Sequence, residues 1–371
     1  MQFQINRDVL LKSLAIAHNI IERKNTLPIL SNVLLEIKNS KLNIIATDLD
    51  LLFLDEISDF KIEKEGSTTT SATVLYDILK KLPANTEISF ALQNENKLNI
   101  SANKSKFNLL CLPVDNFPNL NESFSTDGLN INGTKFLSLL NKTKISMSND
   151  ETRHYLNGIY IHLTESEKKS YLTGVATDSH RLSSSSISLN KADNFKPFIL
   201  PKKTVFQLCN LIQDNNDDVV LKSSETKIQF QIGKSKIISK VIDGKFPDYK
   251  KVVPQNNKKI LRVDTKDFIN SVERVITVSI DRKEGVKIAL KKDQIELFVN
   301  SSSSGEGKEN LKASYNSEDL TVGFNSRYLL DIASEIKDQK LIMNLNDSVS
   351  PVLIQDNSDT NSYFVIMPMK I

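Results

Sequence analysis

Leu42-Asn43-Ile44-Ile45-Ala46-Thr47-Asp48 is the stretch that decides the fold, because it returns 130 residues later as Leu172-Thr173-Gly174-Val175-Ala176-Thr177-Asp178. Each stretch follows an apolar strand and a polar turn, with strands predicted at 33–37 and 158–163. A third pair of strands, predicted at 286–290 and 295–299, has the same order. A pattern that repeats at a nearly constant spacing predicts tandem modules that share one architecture.

Two helices accompany each predicted strand pair. The first helix of each module is predicted at 8–24, 134–147 and 265 to about 280, with apolar residues at helical spacing. Thr134 and Thr265 are the predicted N-caps. The second helices are predicted at about 73–82, 202–213 and 326–337. The sequence therefore predicts an α+β fold of three tandem modules, with two helices and antiparallel strands in each, at 1–125, 126–254 and 255–371. Polar linkers are predicted at 121–127 and 255–259.

Other local features bound the class of protein. Cys111 and Cys209 lie in apolar runs and are predicted to be free, buried thiols. The serine runs at 183–186 and 301–304 follow strands and are predicted to be loops. The sequence has no run of about 18 apolar residues that would suggest a membrane span, and its first residues lack a signal-peptide pattern. We therefore expect a cytoplasmic protein.

The distribution of charge is uneven, although the formal net charge is only +3. The six predicted helices carry fifteen basic and eight acidic residues, so the remainder of the chain is left with a net −4. Cations in the first turn of a helix oppose its dipole, at a cost of about 0.3–1 kcal/mol each. Five such cations are predicted: Lys135, Lys202, Lys203, Lys266 and Arg327. A polyanionic partner would explain them, and ordinary tolerance of surface lysines explains them equally well.

Residues Asp178-Ser179-His180-Arg181 are the one cluster that could suggest an enzyme. Neighbouring residues of a strand or turn point in different directions, so a triad would need partners from elsewhere in the chain. The favoured interpretation is a turn in which Asp and Ser cap the backbone and His and Arg line a surface. The four histidines lack metal-ligand spacing and no phosphate-binding loop is present, so the sequence implies no enzyme, metal or cofactor.

The chain closely resembles the bacterial DNA polymerase III beta subunit, the replicative sliding clamp, over its whole length. Six short motifs in the same order carry the resemblance: Thr26-Leu27-Pro28-Ile29-Leu30, Tyr155-Leu156-Asn157-Gly158, Ala176-Thr177-Asp178-Ser179-His180-Arg181-Leu182, Phe246-Pro247-Asp248-Tyr249, Asn346-Asp347-Ser348-Val349-Ser350 and Val365-Ile366-Met367-Pro368-Met369-Lys370-Ile371. Ser179 stands where the family usually has Gly.

The resemblance implies a head-to-tail homodimer that closes a ring, with the helices inside facing duplex DNA and the sheets outside. Such a clamp binds double-stranded DNA without sequence preference and confers processivity on the replicative polymerase, with no catalytic site of its own. The polymerase subunit, the clamp loader and other partners would bind through a short peptide. The alternative from another class is a peptide-binding adaptor that does not encircle DNA; a hydrolase would rest on residues 178–181 alone.

Three sets of site residues follow from the same resemblance. The partner-peptide groove is expected at Leu156, Thr177, Ser179, His180, Arg181, Leu182, Pro247, Lys251, Val252, Val349, Val365, Ile366, Met367, Pro368, Met369, Lys370 and Ile371. DNA contacts are expected at Lys24, Thr73, Lys104, Lys106, Asp150, His154 and Tyr155. Dimer contacts are expected at Phe107, Leu109, Thr277 and Val278. Residues 363–366 are expected to complete a sheet, and 367–371 to project into the groove.

Overall fold

The computed structural model describes residues 1–22, 26–94, 96–118, 123–124, 128–166, 168–189, 195–215, 217–224, 226–279 and 285–370. The chain divides into two compact units. One contains residues 1–137 and 203–241, and the other contains residues 138–202 and 242–371. The second of the three modules therefore contributes to both units.

Six α-helices lie in the described residues: α1 (Arg7–Ile20), α2 (Ala72–Lys81), α3 (Gly133–Lys144), α4 (Lys202–Asn215), α5 (Thr265–Val275) and α6 (Ser326–Glu335). Short 3₁₀ helices are present at Pro28–Ser31, Val114–Asn116, Glu151–Leu156, Tyr249–Val252 and Ile276–Val278. Two α-helices fall in each module, as the sequence predicts.

The first unit contains one antiparallel sheet of thirteen strands. They are β1 (Gln2–Asn6), β2 (Asn32–Lys38), β3 (Lys41–Thr47), β4 (Leu51–Ile57), β5 (Lys61–Lys64), β6 (Gly66–Ser71), β7 (Glu87–Gln93), β8 (Lys97–Ala102), β9 (Ser105–Leu112), β10 (Leu129–Ile131), β15 (Val219–Ser223), β16 (Lys227–Ile232) and β17 (Ser235–Lys240). Their spatial order is β10-β15-β16-β17-β4-β3-β2-β6-β9-β8-β7-β1-β5.

The second unit contains a sheet of twelve strands. They are β11 (Gly158–Ser166), β12 (Lys169–Thr177), β13 (Arg181–Leu189), β14 (Phe198–Pro201), β18 (Lys259–Asp264), β19 (Gly285–Lys291), β20 (Gln294–Ser301), β21 (Gly305–Ser314), β22 (Leu320–Asn325), β23 (Lys340–Leu345), β24 (Val352–Gln355) and β25 (Ser362–Ile366). Their order is β14-β11-β12-β13-β25-β24-β23-β18-β21-β20-β19-β22.

Each sheet crosses from one module to the next through one strand pair, which we call a joint. The first joint pairs β4 with β17, and Leu51 lies opposite Ser239. The second joint pairs β13 with β25, and Arg181 lies opposite Ile366. Leu51 and Arg181 are 130 residues apart, the spacing of the repeat. The two joints therefore use equivalent strands in the same register.

A backbone hydrogen bond closes each joint in the same way. The amide of Lys240 donates to the carbonyl of Asp50 at 2.8 Å, and the amide of Met367 donates to the carbonyl of His180 at 2.8 Å. Asp50 and His180 are again 130 residues apart. The internal repeat therefore extends from sequence to hydrogen bonding.

Two predictions about local structure are wrong. The N-cap of α5 is Asp264, whose carboxylate accepts from the amide of Asp267, while Thr265 is the first helical residue. Asn132 plays the same part before α3, because its side chain accepts from the amide of Lys135. Asp and Asn compete well with Thr for this position. Cys111 and Cys209 are buried thiols that take part in no disulfide bond among the described residues, as predicted.

The serine run at 183–186 is the second wrong prediction, because it lies within β13 and not in a loop. The hydroxyl of Ser183 hydrogen-bonds to that of Ser146 at 2.6 Å, and the hydroxyl of Ser362 donates to that of Ser185 at 2.9 Å. Buried hydroxyl groups that pair with one another avoid the cost of an unsatisfied polar group. In the run at 301–304, Ser301 ends β20 and the remainder forms a turn.

Candidate functional site

A cavity of about 220 Å³ opens beside the second joint, within the second unit. It is lined by Thr177, Ser179, His180, Arg181, Leu182, Pro247, Asp248, Tyr249, Val252, Val365 and Met367. Nine of these are among the residues expected to form the groove. Asp248 and Tyr249 were not among them, although both belong to the quoted motif 246–249. We call this cavity the groove.

The rim of the groove is a turn whose shape is fixed by its own side chains. The carboxylate of Asp178 accepts from the amides of His180 and Arg181, both at 2.9 Å. The hydroxyl of Thr177 donates to the carbonyl of Arg181 at 2.7 Å. Ser179 has a φ of +77°, a conformation that favours glycine. This is the turn that the sequence predicts for residues 178–181.

Arg181 is held from three sides. Its guanidinium contacts the carboxylate of Asp178 at 3.0 Å and that of Asp331 on α6 at 2.6 Å. It also lies over the ring of Tyr328, 4.1 Å from the centroid. Its charge is therefore already neutralised by two carboxylates, and its side chain is only 9% exposed. Arg181 ties β13 to α6 and shapes the groove wall, so it is not a free cation.

A hydrophobic cluster lies beneath the groove. It consists of Leu156, Val175, Leu182, Ile199, Phe246, Tyr249 and Val365. Leu156 is buried in this cluster and is not among the lining residues. The cluster gives the groove a packed apolar floor, which is the usual character of a binding pocket for an apolar group.

β25 ends at Ile366, so residues 363–366 complete the sheet as the sequence predicts, whereas of the described tail residues 367–370 only Met367 lines the groove. Ile366 packs into the core of the third module, whereas Val365 belongs to the cluster beneath the groove. Met367 lines the groove. The amide of Met369 donates to the carbonyl of Gly323 on β22 at 2.9 Å. Pro368, Met369 and Lys370 are not lining residues, and Ile371 lies outside the described residues.

Two further predicted groove residues lie outside the cavity lining. Lys251 is exposed and its ammonium lies 3.3 Å from the carboxylate of Asp248. Val349 is 67% exposed, on a turn in which the carboxylate of Asp347 accepts from the amides of Val349 and Ser350. These hydrogen bonds, led by the one from the Val349 amide, lower the pKa of Asp347 to about 2.

The expected DNA contacts fall on several elements. Lys24 lies outside the described residues. Thr73 is half-buried on α2, and Lys104 and Lys106 are exposed at the β8–β9 hairpin. His154 is exposed and its ring packs edge-on against Tyr155, with centroids 5.9 Å apart.

Asp150, the remaining expected DNA contact, is engaged within the chain. Its carboxylate accepts from the amide of Thr152 at 3.0 Å and from the guanidinium of Arg153 at 2.8 Å. Hydrogen bonds, first from the Thr152 side chain and then from Arg153, lower the pKa of Asp150. The other end of Arg153 donates to the hydroxyl of Ser179 at 2.7 Å. Arg153 therefore supports the groove rim, a role that was not predicted.

Lys203, one of the first-turn cations, has a structural explanation. Its ammonium donates to the carbonyl of Ile20 at 2.7 Å, at the end of α1, and to the carboxylate of Asp48. A cation is favourable at the C-terminus of a helix, where carbonyl groups lack partners. These contacts explain why Lys203 lies in the first turn of α4 without a polyanionic partner.

The expected dimer contacts lie beside two open strand edges. β9 pairs with β8 along its length but meets β6 only at residues 111–112. β21 pairs with β20 along its length but meets β18 only at residues 313–314. Within the described residues, 105–110 and 305–312 thus each leave one edge without a strand partner. Phe107 and Leu109 lie on the first edge, and Thr277 and Val278 follow α5, which packs against β21.

Three family profiles match consecutive parts of the chain. They describe the N-terminal, central and C-terminal domains of the DNA polymerase III beta subunit, and they match residues 1–121, 130–248 and 250–370. No helix among the described residues is long and apolar enough to span a membrane.

Relatives and solved structures match from end to end. The beta sliding clamp of Caulobacter vibrioides is 35% identical over 373 residues, and that of Escherichia coli is 30% identical over 371 residues, each with 100% of both chains covered. A crystal structure of the Bartonella birtlesii sliding clamp bound to griselimycin has a TM-score of 0.94 and 39% identity over 100% of both chains. The Pseudomonas aeruginosa DNA polymerase III subunit beta has a TM-score of 0.90, 30% identity and the same coverage.

These similarities define a replication clamp built from three tandem modules. The chain belongs to the beta sliding clamp family, the beta subunit of DNA polymerase III. The predictions of a three-module α+β fold and of a DNA sliding clamp are thereby confirmed.

Proposed function

We propose that two copies of the chain join head to tail through the open edges of β9 and β21, and that the resulting ring encircles duplex DNA. The observation that carries the proposal is the pair of joints with equivalent strands and register. β21 is the counterpart of β4 and β13, and β9 is the counterpart of β17 and β25. A third joint of the same kind between two molecules, formed twice, closes a ring.

The register of the proposed joint follows from the repeat. Phe53 lies opposite Ile237 in the first joint, and both are fully buried. Their counterparts are Gly307 and Phe107, so Phe107 of one protomer would face Gly307 of its partner. A Cβ on Gly307 would lie 2.8 Å from the carbonyl of Val275, so the strand runs close to the end of α5 here. Glycine at this position permits the close approach of the strand to α5, and it places no side chain of its own opposite Phe107.

The ring supplies retention on DNA by topology, so a tight DNA contact is not required. We propose that the DNA-facing positions are Lys24, Thr73, Lys104, Lys106, Asp150, His154 and Tyr155. Their role would be to line the ring and to confer processivity on a polymerase, without catalysis. The module boundaries 1–125, 126–254 and 255–371 stay a prediction. A clamp that acts on the bacterial chromosome would work in the cytoplasm.

Mass and salt dependence test the ring. Light scattering should give about twice the chain mass of 41.8 kDa. Clamps loaded on nicked circular DNA should survive high salt and be lost when the circle is cut. Electrostatic binding alone would fade with salt on both templates. A monomer with salt-sensitive binding would instead favour the adaptor that does not encircle DNA.

We further propose that the groove binds the short peptide through which the polymerase subunit and the clamp loader reach the clamp. Its apolar floor suits a leucine or phenylalanine side chain, and methionine adapts to guests of different shape. Met367 and Met369 provide a test position and a matched control, since their side chains are 38% and 41% exposed and only Met367 lines the groove.

Calorimetric titration with a short peptide that contains Gln, Leu and Phe provides the test. Met367→Asp should weaken binding by about tenfold or more, because it places a charge in an apolar pocket. Met369→Asp should bind as the parent does. Equal loss in both variants, or none in either, would contradict the placement of the peptide.

A further inference from the structure

An aromatic stack stands behind the groove. Tyr160 and His162 lie on the same face of β11, with parallel rings 4.5 Å apart. The other face of Tyr160 stacks on Phe246, with centroids 4.9 Å apart. Tyr249, a lining residue of the groove, meets the imidazole edge-on at 5.6 Å. Tyr160, His162 and Phe246 therefore form a continuous stack, and Tyr249 connects this stack to the groove wall.

His162 makes one side-chain hydrogen bond in this stack. Its Nε2 lies 3.0 Å from the hydroxyl of Tyr249, and the contact is buried. His162 is 8% exposed, and its Nδ1 is buried without a hydrogen-bond partner among the described residues. Burial lowers the pKa of His162 to about 4, so the ring is neutral at pH 7. A phenylalanine at this position could stack on Tyr160 but could not make the hydrogen bond to the Tyr249 hydroxyl.

Tyr249 packs in the hydrophobic cluster beneath the groove, but the backbone hydrogen bonds of its segment are short-range. This segment is the 3₁₀ helix Tyr249–Val252, whose backbone hydrogen bonds run from the amide of Lys251 to Asp248 and from that of Val253 to Lys250. The hydrogen bond between Tyr249 and His162 instead spans 87 residues and reaches the sheet. It therefore fixes the direction of the Tyr249 ring relative to the groove floor.

We propose that His162 is a positioning residue of the groove, which holds the Tyr249 ring in the cavity wall and thereby sets the affinity for the apolar side chain of a bound peptide. This inference rests on the proposed function of the groove. His162 touches no peptide in this arrangement and acts through Tyr249 alone. The stack keeps the aromatic wall in place before a partner arrives, which lowers the ordering cost of binding.

Four variants test the proposal: His162→Phe, Tyr249→Phe, the double variant and His162→Gln. The first two remove the hydrogen bond and keep both rings. Each should weaken binding of the short peptide that contains Gln, Leu and Phe by about three- to tenfold, as expected for the loss of one buried hydrogen bond. The double variant should be no weaker than either single variant, because the two changes remove the same contact. His162→Gln keeps a polar group of similar reach and should restore binding to within about twofold.

A readout without peptide separates this inference from the proposed function. The chain has eight tyrosines and no tryptophan, so the near-ultraviolet circular dichroism of tyrosine is not masked. His162→Phe keeps all eight tyrosines and should change this band, because it removes the hydrogen bond that orients the Tyr249 ring, even if the parent binds no peptide at all. Parent-like affinity and an unchanged band in His162→Phe would overturn the inference, as would additive losses in the double variant. If His162→Phe does not fold, Tyr249→Phe and His162→Gln decide the question.

Discussion

Replacing Phe107 with alanine should convert the dimer into a monomer at concentrations at which the parent is a ring. In the proposed joint, Phe107 takes the place that Ile237 occupies in the first joint, where that side chain is fully buried. In the isolated chain Phe107 is only half-buried on the open edge of β9. The ring would therefore remove the remaining apolar surface of Phe107 from water.

The size of the effect follows from the number of joints. Truncation of a well-buried aromatic residue at the centre of an interface costs about 2 kcal/mol or more. A head-to-tail ring contains the joint twice, so one substitution removes about 4 kcal/mol from the dimer. That loss corresponds to about a 10³-fold increase in Kd.

Sedimentation velocity across a wide range of chain concentration is the assay. Phe206→Ala provides the control, because Phe206 is 42% exposed on α4 and lies on no strand edge. The control should dimerise as the parent does. If Phe107→Ala keeps the parent Kd while it remains folded, the register derived from the two joints is wrong.

Three other predictions concern the groove and its support. Deletion of residues 367–371 should leave folding and dimerisation intact, because β25 is kept, and should abolish peptide binding; failure to fold would show the tail to be core. Asp331→Asn should leave Arg181 with one carboxylate and lower the free energy of unfolding by about 1–3 kcal/mol, measured by urea denaturation. The free energy of unfolding should also fall as the pH is lowered from 6.5 to 4, because the unfolded chain binds a proton at His162 that the folded chain excludes. Since the pKa of His162 in the folded chain is about 4, this loss is at most about 3 kcal/mol. Urea unfolding of His162→Phe at pH 7 and 4.5 should lack this part of the pH dependence, and an unchanged dependence would contradict it.

The sequence predicted the features that depend on local pattern. All six helices were located, and apolar spacing identified the first one of each module, although α1, α3 and α5 end three to five residues before their predicted ends. The Ala-Thr-Asp repeat revealed the module order. Local pattern misjudged the serines of β13, because polar residues in a low-complexity run usually indicate a loop. The hydroxyl groups of Ser183 and Ser185 pair with those of Ser146 and Ser362, which are distant in sequence. Such partners are visible only in the folded chain.

The groove shows the same limit. The motifs located its rim, and nine of the expected residues line the cavity. Arg181 was expected in the groove, but Asp331 lies 150 residues away in sequence and its pairing with Arg181 could not be read from any local pattern. Tyr249 stood in a quoted motif, yet its position in the wall depends on His162, whose isolated place in a strand gave no signal.

The two joints differ in the side chains at two equivalent positions. In the first joint the counterparts of Met367 and His180 are Lys240 and Asp50, and the Lys240 ammonium lies 2.7 Å from the Asp50 carboxylate. An exposed ion pair stands at this place in the first joint, whereas an apolar thioether and an imidazole border the groove of the second joint. In the proposed intermolecular joint the counterpart of Met367 is Leu110, which is 83% exposed in the single chain. The two joints share their backbone pairing, the proposed third joint would share it too, and the side chain at the position of Met367 is what differs among the three.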